Sequence, residues 1–145
     1  MNTKILESSV GISSFYQYVR QERKILFWYS ILFGGDRATC CDEVVVVEID
    51  GNIVSMASIA PKGEDQTSSM PTIVGLYTLP TYRKRGFGKA VLQKAIERCI
   101  ERGFERIRID AMTVGAMKTI SSLPEELKLH LEVWDMSEYT ALLPE

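Results

Sequence analysis

Apolar side chains recur along this sequence with two different periods, and the change between them predicts the order of helices and strands. Over residues 11–33, aromatic and aliphatic residues return at helical spacing, which predicts one long or two short helices ended by Gly34-Gly35. Two apolar stretches follow, 43–50 and 53–60, and the Asp50-Gly51 pair between them is a strong signal for a two-stranded hairpin. The first part of the chain therefore predicts helix followed by paired strands.

The rest of the chain mixes short alternating stretches with one long amphipathic stretch. It predicts, in order, a polar loop over 61–70, a third strand over 72–79 stopped at Pro80, an amphipathic helix over 86–102 ended by Gly103, a fourth strand over 106–110, a short helix over 116–123 ended by Pro124, and a fifth strand over 127–134. This order predicts an α/β (α+β) fold, a mixed central β-sheet flanked by helices, in one domain over residues 1–145.

Composition excludes several classes of protein. The chain has 145 residues, of which 46% are apolar and 25% charged, as in an ordinary globular domain. Its 17 basic and 19 acidic side chains give a net charge of −2, which argues against a nucleic-acid partner. The first ten residues lack a signal-peptide pattern, and the longest apolar stretch, within 25–33, is too short to cross a bilayer. We therefore expect a cytoplasmic protein with no membrane partner.

The cysteine and histidine content argues against a disulfide framework and against a metal site. The cysteines are Cys40, Cys41 and Cys99, an odd number with two adjacent, which suits a reducing compartment. No Cys-x-x-Cys occurs and His130 is the single histidine, so a Cys/His zinc site would lack ligands. We expect no metal.

One segment carries recognisable chemistry: a strand ends at Pro80, a basic turn follows, and two glycines open the long helix. Free amides at a helix N-terminus, together with the positive end of the helix dipole, bind anions. Gly86 and Gly88 lack the Cβ that would hold a phosphate away, and glycine can adopt a positive φ that aims amides at one point. The cations around that point are Arg83, Lys84, Arg85 and Lys89. The segment predicts a phosphate site in an otherwise slightly acidic protein.

Two common phosphate motifs do not fit. The nucleoside-triphosphate loop requires Gly-x-x-x-x-Gly-Lys-Ser/Thr, which is absent here. The dinucleotide fingerprint requires a third glycine, and Val91 stands at that position.

The stretch 76–90 does resemble the acyl-CoA signature of the GNAT superfamily of N-acetyltransferases. In that signature a strand, a proline and an aromatic residue precede Arg/Gln-x-x-Gly-x-Gly/Ala, which opens a helix. Arg83, Gly86 and Gly88 occupy its fixed positions, and Pro80 and Tyr82 its usual accessory positions. With the element order from 43 to about 113, the resemblance covers about half of the chain.

The resemblance implies a donor, a reaction and a set of contacts. Backbone groups of Leu76, Tyr77 and Thr78 would hold the pantetheine arm and thioester of acetyl-CoA. Amides from Lys84 to Lys89, including Phe87, would receive the diphosphate. The strand carrying Leu76 would splay from the parallel strand at 107–112, and the acyl arm would lie in the gap. The implied activity is acetyl transfer from acetyl-CoA to a primary amine, on a small molecule or a peptide, by direct attack in a ternary complex.

The chain departs from the family where a general acid is usually found. GNAT-like enzymes often carry a tyrosine in a pattern like Ala-x-x-x-Tyr, and aligning Ala116 with that alanine puts Ile120 at the tyrosine position. The remaining candidates for proton transfer or thioester contact are Tyr77 beside the thioester, Glu48 on the hairpin, and Tyr139 near the C-terminus.

Two other functions therefore stay open. A GNAT-like domain without its acid can serve as a non-catalytic acyl-CoA-binding sensor or regulatory module, and the basic turn alone fits a phosphate-binding domain for another nucleotide. Few residues remain after the last predicted strand, so we expect its edge to be covered by a short strand at 139–143 or by a second copy in a homodimer.

Overall fold

The computed structural model describes residues 3–7, 41–63, 70–111 and 113–135, except for the side chain of Val74. The described residues contain one six-stranded sheet and three α-helices. The strands are β1 (Thr3–Glu7), β2 (Glu43–Ile49), β3 (Asn52–Ala60), β4 (Thr72–Thr78), β5 (Ile107–Ala111) and β6 (Leu131–Asp135), and the helices are α1 (Phe87–Glu101), α2 (Val114–Ser121) and α3 (Glu125–Lys128). The helices predicted over 11–33, the loop residues 64–69 and Tyr139 lie outside the described residues.

The sheet is mixed, as predicted, with its strands in the order β1 to β6. Neighbours from β1 to β4 pair antiparallel, whereas β4–β5 and β5–β6 pair parallel. The β2–β3 hairpin closes at Asp50 and Gly51, with φ values of +51° and +81°. Two consecutive left-handed residues match the twist of the flanking strands, which is why Asp-Gly favours this turn.

Helix α1 is amphipathic, as its sequence predicts. Its buried residues are all 0% exposed: Val91, Leu92, Ala95, Ile96 and Cys99. This face covers one side of β2, β3 and β4, and each large aliphatic side chain buried there contributes about 1.5–3 kcal/mol. After the helix, Gly103 takes a φ of +91°, the left-handed conformation that ends many helices. Burial of one face therefore fixes how α1 lies on the sheet.

The first strand was not anticipated from the sequence. Thr3–Glu7 pairs antiparallel with β2, with Ile5 opposite Val45. The segment is only five residues long and its partner lies about forty positions away in the chain. Local patterning cannot reveal such a pairing, because it depends on a strand that is distant in sequence.

The strand predicted over 127–134 is wrong in its first half. Residues Glu125–Lys128 form a one-turn helix, and β6 begins only at Leu131. Pro124 precedes that turn and two glutamates open it, a favourable helix start. Leu129 is 76% exposed. His130 precedes β6, and its Nδ1 lies 2.9 Å from the carbonyl oxygen of Glu105.

The short helix is confirmed but starts two residues before the predicted position, at Val114. Thr113 caps it, and the Thr113 Oγ1 accepts a hydrogen bond from the amide of Ala116 at 3.0 Å. A threonine at the N-cap satisfies an amide that the helix itself leaves without an acceptor.

Candidate functional site

The parallel strands β4 and β5 separate soon after they meet. Their pairing consists of Thr72 opposite Arg108 and Ile73 opposite Ile109. Beyond Ile73, β4 continues along β3 as far as Thr78, while β5 stays with β6 to its last residue. A wedge therefore opens between β4 and β5 at their carboxyl ends, which confirms the predicted splay.

A bulge in β4 explains where the wedge begins. Ile59 of β3 pairs with Ile73, but the preceding residue, Ser58, pairs with Gly75. Val74 is therefore an extra residue on β4, and it comes directly after the last pair with β5. A bulge bends and twists its strand, and here the bend coincides with the departure from β5. A glycine inside an apparent strand, here Gly75, was the sequence signal for it.

Along β4, the backbone N–H and C=O groups of alternate residues point toward the wedge. The amide of Leu79 donates to the carbonyl of Val54 on β3 at 2.8 Å. Successive residues of a strand direct their hydrogen-bonding groups to opposite sides, so Leu76 and Thr78 point their backbone groups away from β3. Tyr77 lies opposite Met56 and belongs to the β3–β4 ladder. The Tyr77 backbone is therefore turned toward β3, whereas the backbone groups of Leu76 and Thr78 face the wedge, so only these two of the three residues expected to hold pantetheine lie along it.

Arg83 closes the end of β4. Its Nε donates to the carbonyl oxygen of Thr78 at 3.0 Å, and its guanidinium lies 5.3 Å from the centre of the Tyr77 ring. This hydrogen bond of Nε holds the basic turn, residues 83–89, against the strand. The rest of the side chain is exposed.

The N-terminus of α1 leaves amides available for an anion. The first helical hydrogen bond runs from Ala90 to the carbonyl of Gly86 at 3.1 Å, so the amides of Phe87, Gly88 and Lys89 precede it. The helix has no side-chain cap and no acidic residue in its first turn. Among the residues that the structure describes, no carbonyl accepts from these three amides. Unpaired amides at a helix N-terminus suit an anion, and they lie where the sequence predicts one to bind.

The glycines of the turn have different roles. Gly86 takes a φ of +83°, as predicted, and Lys84 also adopts a left-handed conformation, with a φ of +63°. Gly88 is an ordinary helical residue, so the expectation of a positive φ there is wrong. Its lack of a side chain instead leaves room for Thr78, because a Cβ at Gly88 would lie 3.4 Å from the Thr78 Oγ1. The first turn of α1 therefore sits directly against the end of β4.

The cations of the turn stay exposed. Lys84, Arg85 and Lys89 form no ion pair with a carboxylate in the described part of the chain. Arg85 lies 5.5 Å from the centre of the Tyr82 ring, which itself packs 6.2 Å from Phe87. Exposed, unneutralised cations beside unsatisfied helix amides favour a polyanionic ligand.

Of the predicted catalytic candidates, the two that the structure describes, Tyr77 and Glu48, are not brought together. Tyr77 is half-buried at the end of β4, and its hydroxyl oxygen is buried. Glu48 lies on β2, with β3 between it and β4, and its Oε2 forms a 2.8 Å ion pair with Lys4 Nζ. Tyr139 is outside the described residues. A carboxylate already paired at the far side of the hairpin is poorly placed to accept a proton at the wedge.

The position of the family's usual tyrosine is part of the core. Ile120 of α2 is 4% exposed and belongs to the hydrophobic core cluster, which also includes the buried face of α1. The eight residues of α2 include no tyrosine. Helix α2 therefore offers no phenolic acid for the wedge.

The Cys99 thiol is not activated. Cys41 and Cys99 are both buried, and burial raises the pKa of the Cys99 thiol to about 12. Over the described ranges no group of three or more His, Cys, Asp or Glu residues is arranged to hold a metal ion. No described helix is long and apolar enough to span a membrane.

Solved structures share this fold. The ribosomal-protein-S18-alanine N-acetyltransferase of Escherichia coli superposes with a TM-score of 0.60 at 16% identity, covering 83% of this chain and 76% of that one. An aminoglycoside acetyltransferase from an uncultured soil metagenomic sample gives a TM-score of 0.59 at 18% identity, covering 93% and 96%. A predicted acetyltransferase of Clostridium acetobutylicum, solved with acetyl-CoA, gives 0.53 at 18% identity, covering 85% and 91%. At such identities the likeness establishes the fold.

The sequence comparison identifies the family. No curated protein sequence matches the chain. The sequence profile described as the acetyltransferase (GNAT) family matches residues 10–118, well over half of the chain, and this range includes the wedge, the basic turn and most of α2. Acetyl-CoA is the acyl donor of this family. With both the profile and the fold in agreement, the chain belongs to the GNAT acetyltransferase family.

Proposed function

We propose that this protein is an acetyl-CoA-dependent N-acetyltransferase that acetylates a primary amine by direct attack in a ternary complex. The observation that carries the proposal is the junction of the wedge with the N-terminus of α1. Leu76 and Thr78 direct backbone groups into the wedge, and the amides of Phe87, Gly88 and Lys89 lie at its end. A long donor with an amide-bearing arm and a diphosphate needs both features in one place.

The described residues fit such a donor. The amides at the start of α1, with Lys84, Arg85 and Lys89 around them, would hold the diphosphate. The wedge-facing backbone of Leu76 and the amide of Thr78, whose carbonyl already accepts from Arg83, would pair with the pantetheine arm, as an exposed strand edge pairs with an extended peptide. When bound, acetyl-CoA supplies an activated acetyl group.

The chain contributes orientation and backbone donors to the transfer. A bond forms between the amine nitrogen and the acetyl carbon, the carbon–sulfur bond breaks, and the amine loses a proton. Wedge-facing amides of β4 supply donors where negative charge develops on the acyl oxygen. The departing thiol has an ordinary pKa near 8.5, so its release depends less on a protein acid than the release of an alkoxide would.

The acceptor is proposed at the level of its chemical class. The solved structures include an enzyme named as a ribosomal-protein-S18-alanine N-acetyltransferase and others named as aminoglycoside acetyltransferases. Both names describe amines, one on a peptide and one on a small molecule. They support an amine acceptor and leave open which of these two kinds this chain uses.

Ile120 favours a second candidate, an acyl-CoA-binding module that does not turn its ligand over. The family's usual tyrosine position is apolar and only 4% exposed. A buried isoleucine at this position is what we expect of a protein that binds the donor through α1 and β4 and does not use α2 in catalysis.

The decisive experiment measures CoA thiol release from acetyl-CoA with a panel of peptide and aminoglycoside amines, alongside calorimetric binding of CoA. Amine-dependent release supports the enzyme, and binding without release supports the module. Lys89→Ala should raise the dissociation constant of CoA about three- to fivefold at low salt and less at high salt. Lys94→Ala, which removes the same charge five residues further along α1, should leave it unchanged. Tighter binding of ATP than of CoA would contradict both candidates.

A further inference from the structure

A pair of hydroxyl groups links β3 to the end of β4 beneath the first turn of α1. Ser55 Oγ lies 2.7 Å from the Thr78 Oγ1 and 3.2 Å from the carbonyl oxygen of Tyr77. Ser55 is 0% exposed and is paired with Val47 on β2 and with Thr78 on β4, the two strands that flank β3. Its partner Val47 belongs to the hydrophobic core, so two hydroxyls beside it need an explanation beyond packing.

The donors and acceptors of this pair can be assigned. Ser55 has one hydroxyl hydrogen, and the carbonyl of Tyr77 can only accept, so Ser55 donates there. In the shorter contact the Thr78 hydroxyl is then the donor and Ser55 Oγ the acceptor. The Thr78 side chain is thereby held in one rotamer, with its oxygen turned toward β3.

Thr78 is held from two sides. Its carbonyl oxygen accepts from Arg83 of the basic turn, and its hydroxyl is bound by Ser55. The same hydroxyl oxygen would lie 3.4 Å from a Cβ placed on Gly88, so it forms the surface on which the first turn of α1 rests. Thr78 therefore joins the strand that faces the wedge to the helix end that carries the free amides.

We infer that Ser55 is a positioning residue for the acyl-CoA donor: by fixing Thr78, it sets the distance between the wedge-facing backbone of β4 and the anion site of α1. The inference rests on the proposed donor, which must span both features at once. A small displacement between two halves of a site weakens the binding of a ligand that contacts both, even when each half is intact. Ser55 lies outside the signature that the sequence shares with the family, and its role becomes visible only in the tertiary structure.

The test measures the dissociation constant of CoA by calorimetry, which does not require turnover. Ser55→Ala and Thr78→Val should each raise it about three- to tenfold, the effect of one hydrogen bond. Thr78→Ser, which keeps the hydroxyl, should stay close to the wild type. The double variant Ser55→Ala/Thr78→Val should raise it by less than the two single effects combined, because both changes remove the Ser55–Thr78 contact and only Ser55→Ala also removes the hydrogen bond to the Tyr77 carbonyl.

Ser58→Ala is the matched control, because Ser58 is also 0% exposed on β3 but lies on the opposite face, opposite Gly75. It should leave CoA binding unchanged. Where amine-dependent turnover is measured, Ser55→Ala should raise the KM for acetyl-CoA and leave the KM for the amine unchanged. A loss of stability alone would instead reduce the active fraction without changing KM.

The outcomes separate this inference from the proposed function. If the wild type binds CoA and both Ser55→Ala and Thr78→Val bind it equally well, the inference is overturned and the function stands. If Thr78→Ser is as weak as Thr78→Val, the shape of the side chain matters rather than its hydroxyl, and the inference is overturned as well. If the wild type binds no CoA, the proposed function fails and the inference fails with it. Should Ser55→Ala not fold, Thr78→Val and Thr78→Ser decide the question.

Discussion

The Nε of Arg98 on α1 donates to both oxygens of the buried Glu43 carboxylate at the start of β2, at 3.0 Å to Oε2 and 3.2 Å to Oε1. The carboxylate also accepts from Arg102 at 2.7 Å, and the Glu43 side chain is 7% exposed. This contact fixes the C-terminal half of α1 on the sheet, at the opposite end from the anion site.

Glu43→Gln should therefore destabilise the fold. The substitution keeps the size of the side chain but removes the charge that both arginines contact, and the free energy of unfolding should fall by about 1–3 kcal/mol in urea titrations. Glu101→Gln is the control, since Glu101 pairs with the same Arg98 but is 54% exposed, and it should have little effect. Equal losses in the two variants would show that burial of Glu43 is not what matters.

Gly86→Ala should damage both stability and CoA binding. At a φ of +83° an alanine is strained by about 1–2 kcal/mol, although its Cβ would meet no atom within 4 Å. Relief of that strain displaces the amides that follow, so the dissociation constant of CoA should rise. Gly51→Ala has a matching φ of +81° and equally open space in the distant hairpin. It should lose similar stability in thermal unfolding while binding CoA normally; weakened binding in that variant would contradict the assignment of the site.

Cys99 makes stability depend on pH in the alkaline range. Burial raises the pKa of its thiol from 9.0 to about 12, so the folded protein favours the neutral form. The contribution of this raised pKa to the free energy of unfolding is fully present below pH 9 and is lost as the pH rises from 9 toward 12. Urea titrations across this window should show a steeper alkaline loss for the wild type than for Cys99→Ala. Parallel curves would show that the thiol ionises as easily in the folded chain as in the unfolded one.

Ile120 should behave as a core residue. Ile120→Val removes one buried methylene-sized group and should cost about 0.5–1.5 kcal/mol in the free energy of unfolding. Thiol release per folded molecule should stay within about twofold of the wild type, because a stability change of this size leaves almost all molecules folded. A large fall in turnover with unchanged stability would instead place Ile120 at the reacting groups.

The sequence by itself determined where a helix begins with uncapped amides, and it determined much of the sheet. The Asp50-Gly51 hairpin, the helix of residues 87–101 and the amides behind Gly86 each depend on a few neighbouring residues. Turn conformation, amphipathic period and helix capping are local properties, so they can be read in the order of the chain. The errors over 127–130 were also local, because a proline followed by two glutamates outweighed an alternating pattern that was equally visible.

Only the tertiary structure decided which groups face the wedge and what holds them there. The pairing of Thr3–Glu7 with β2 and the contact between Ser55 and Thr78 join residues that are distant in sequence, and the turning of the Tyr77 backbone toward β3 follows from pairing across strands. The bulge at Val74 shifts the register of β4 by one residue, and a shift of one residue reverses the side to which each later group points. Such a reversal is set by the partner strands, and for that reason it cannot be derived from the strand's own residues.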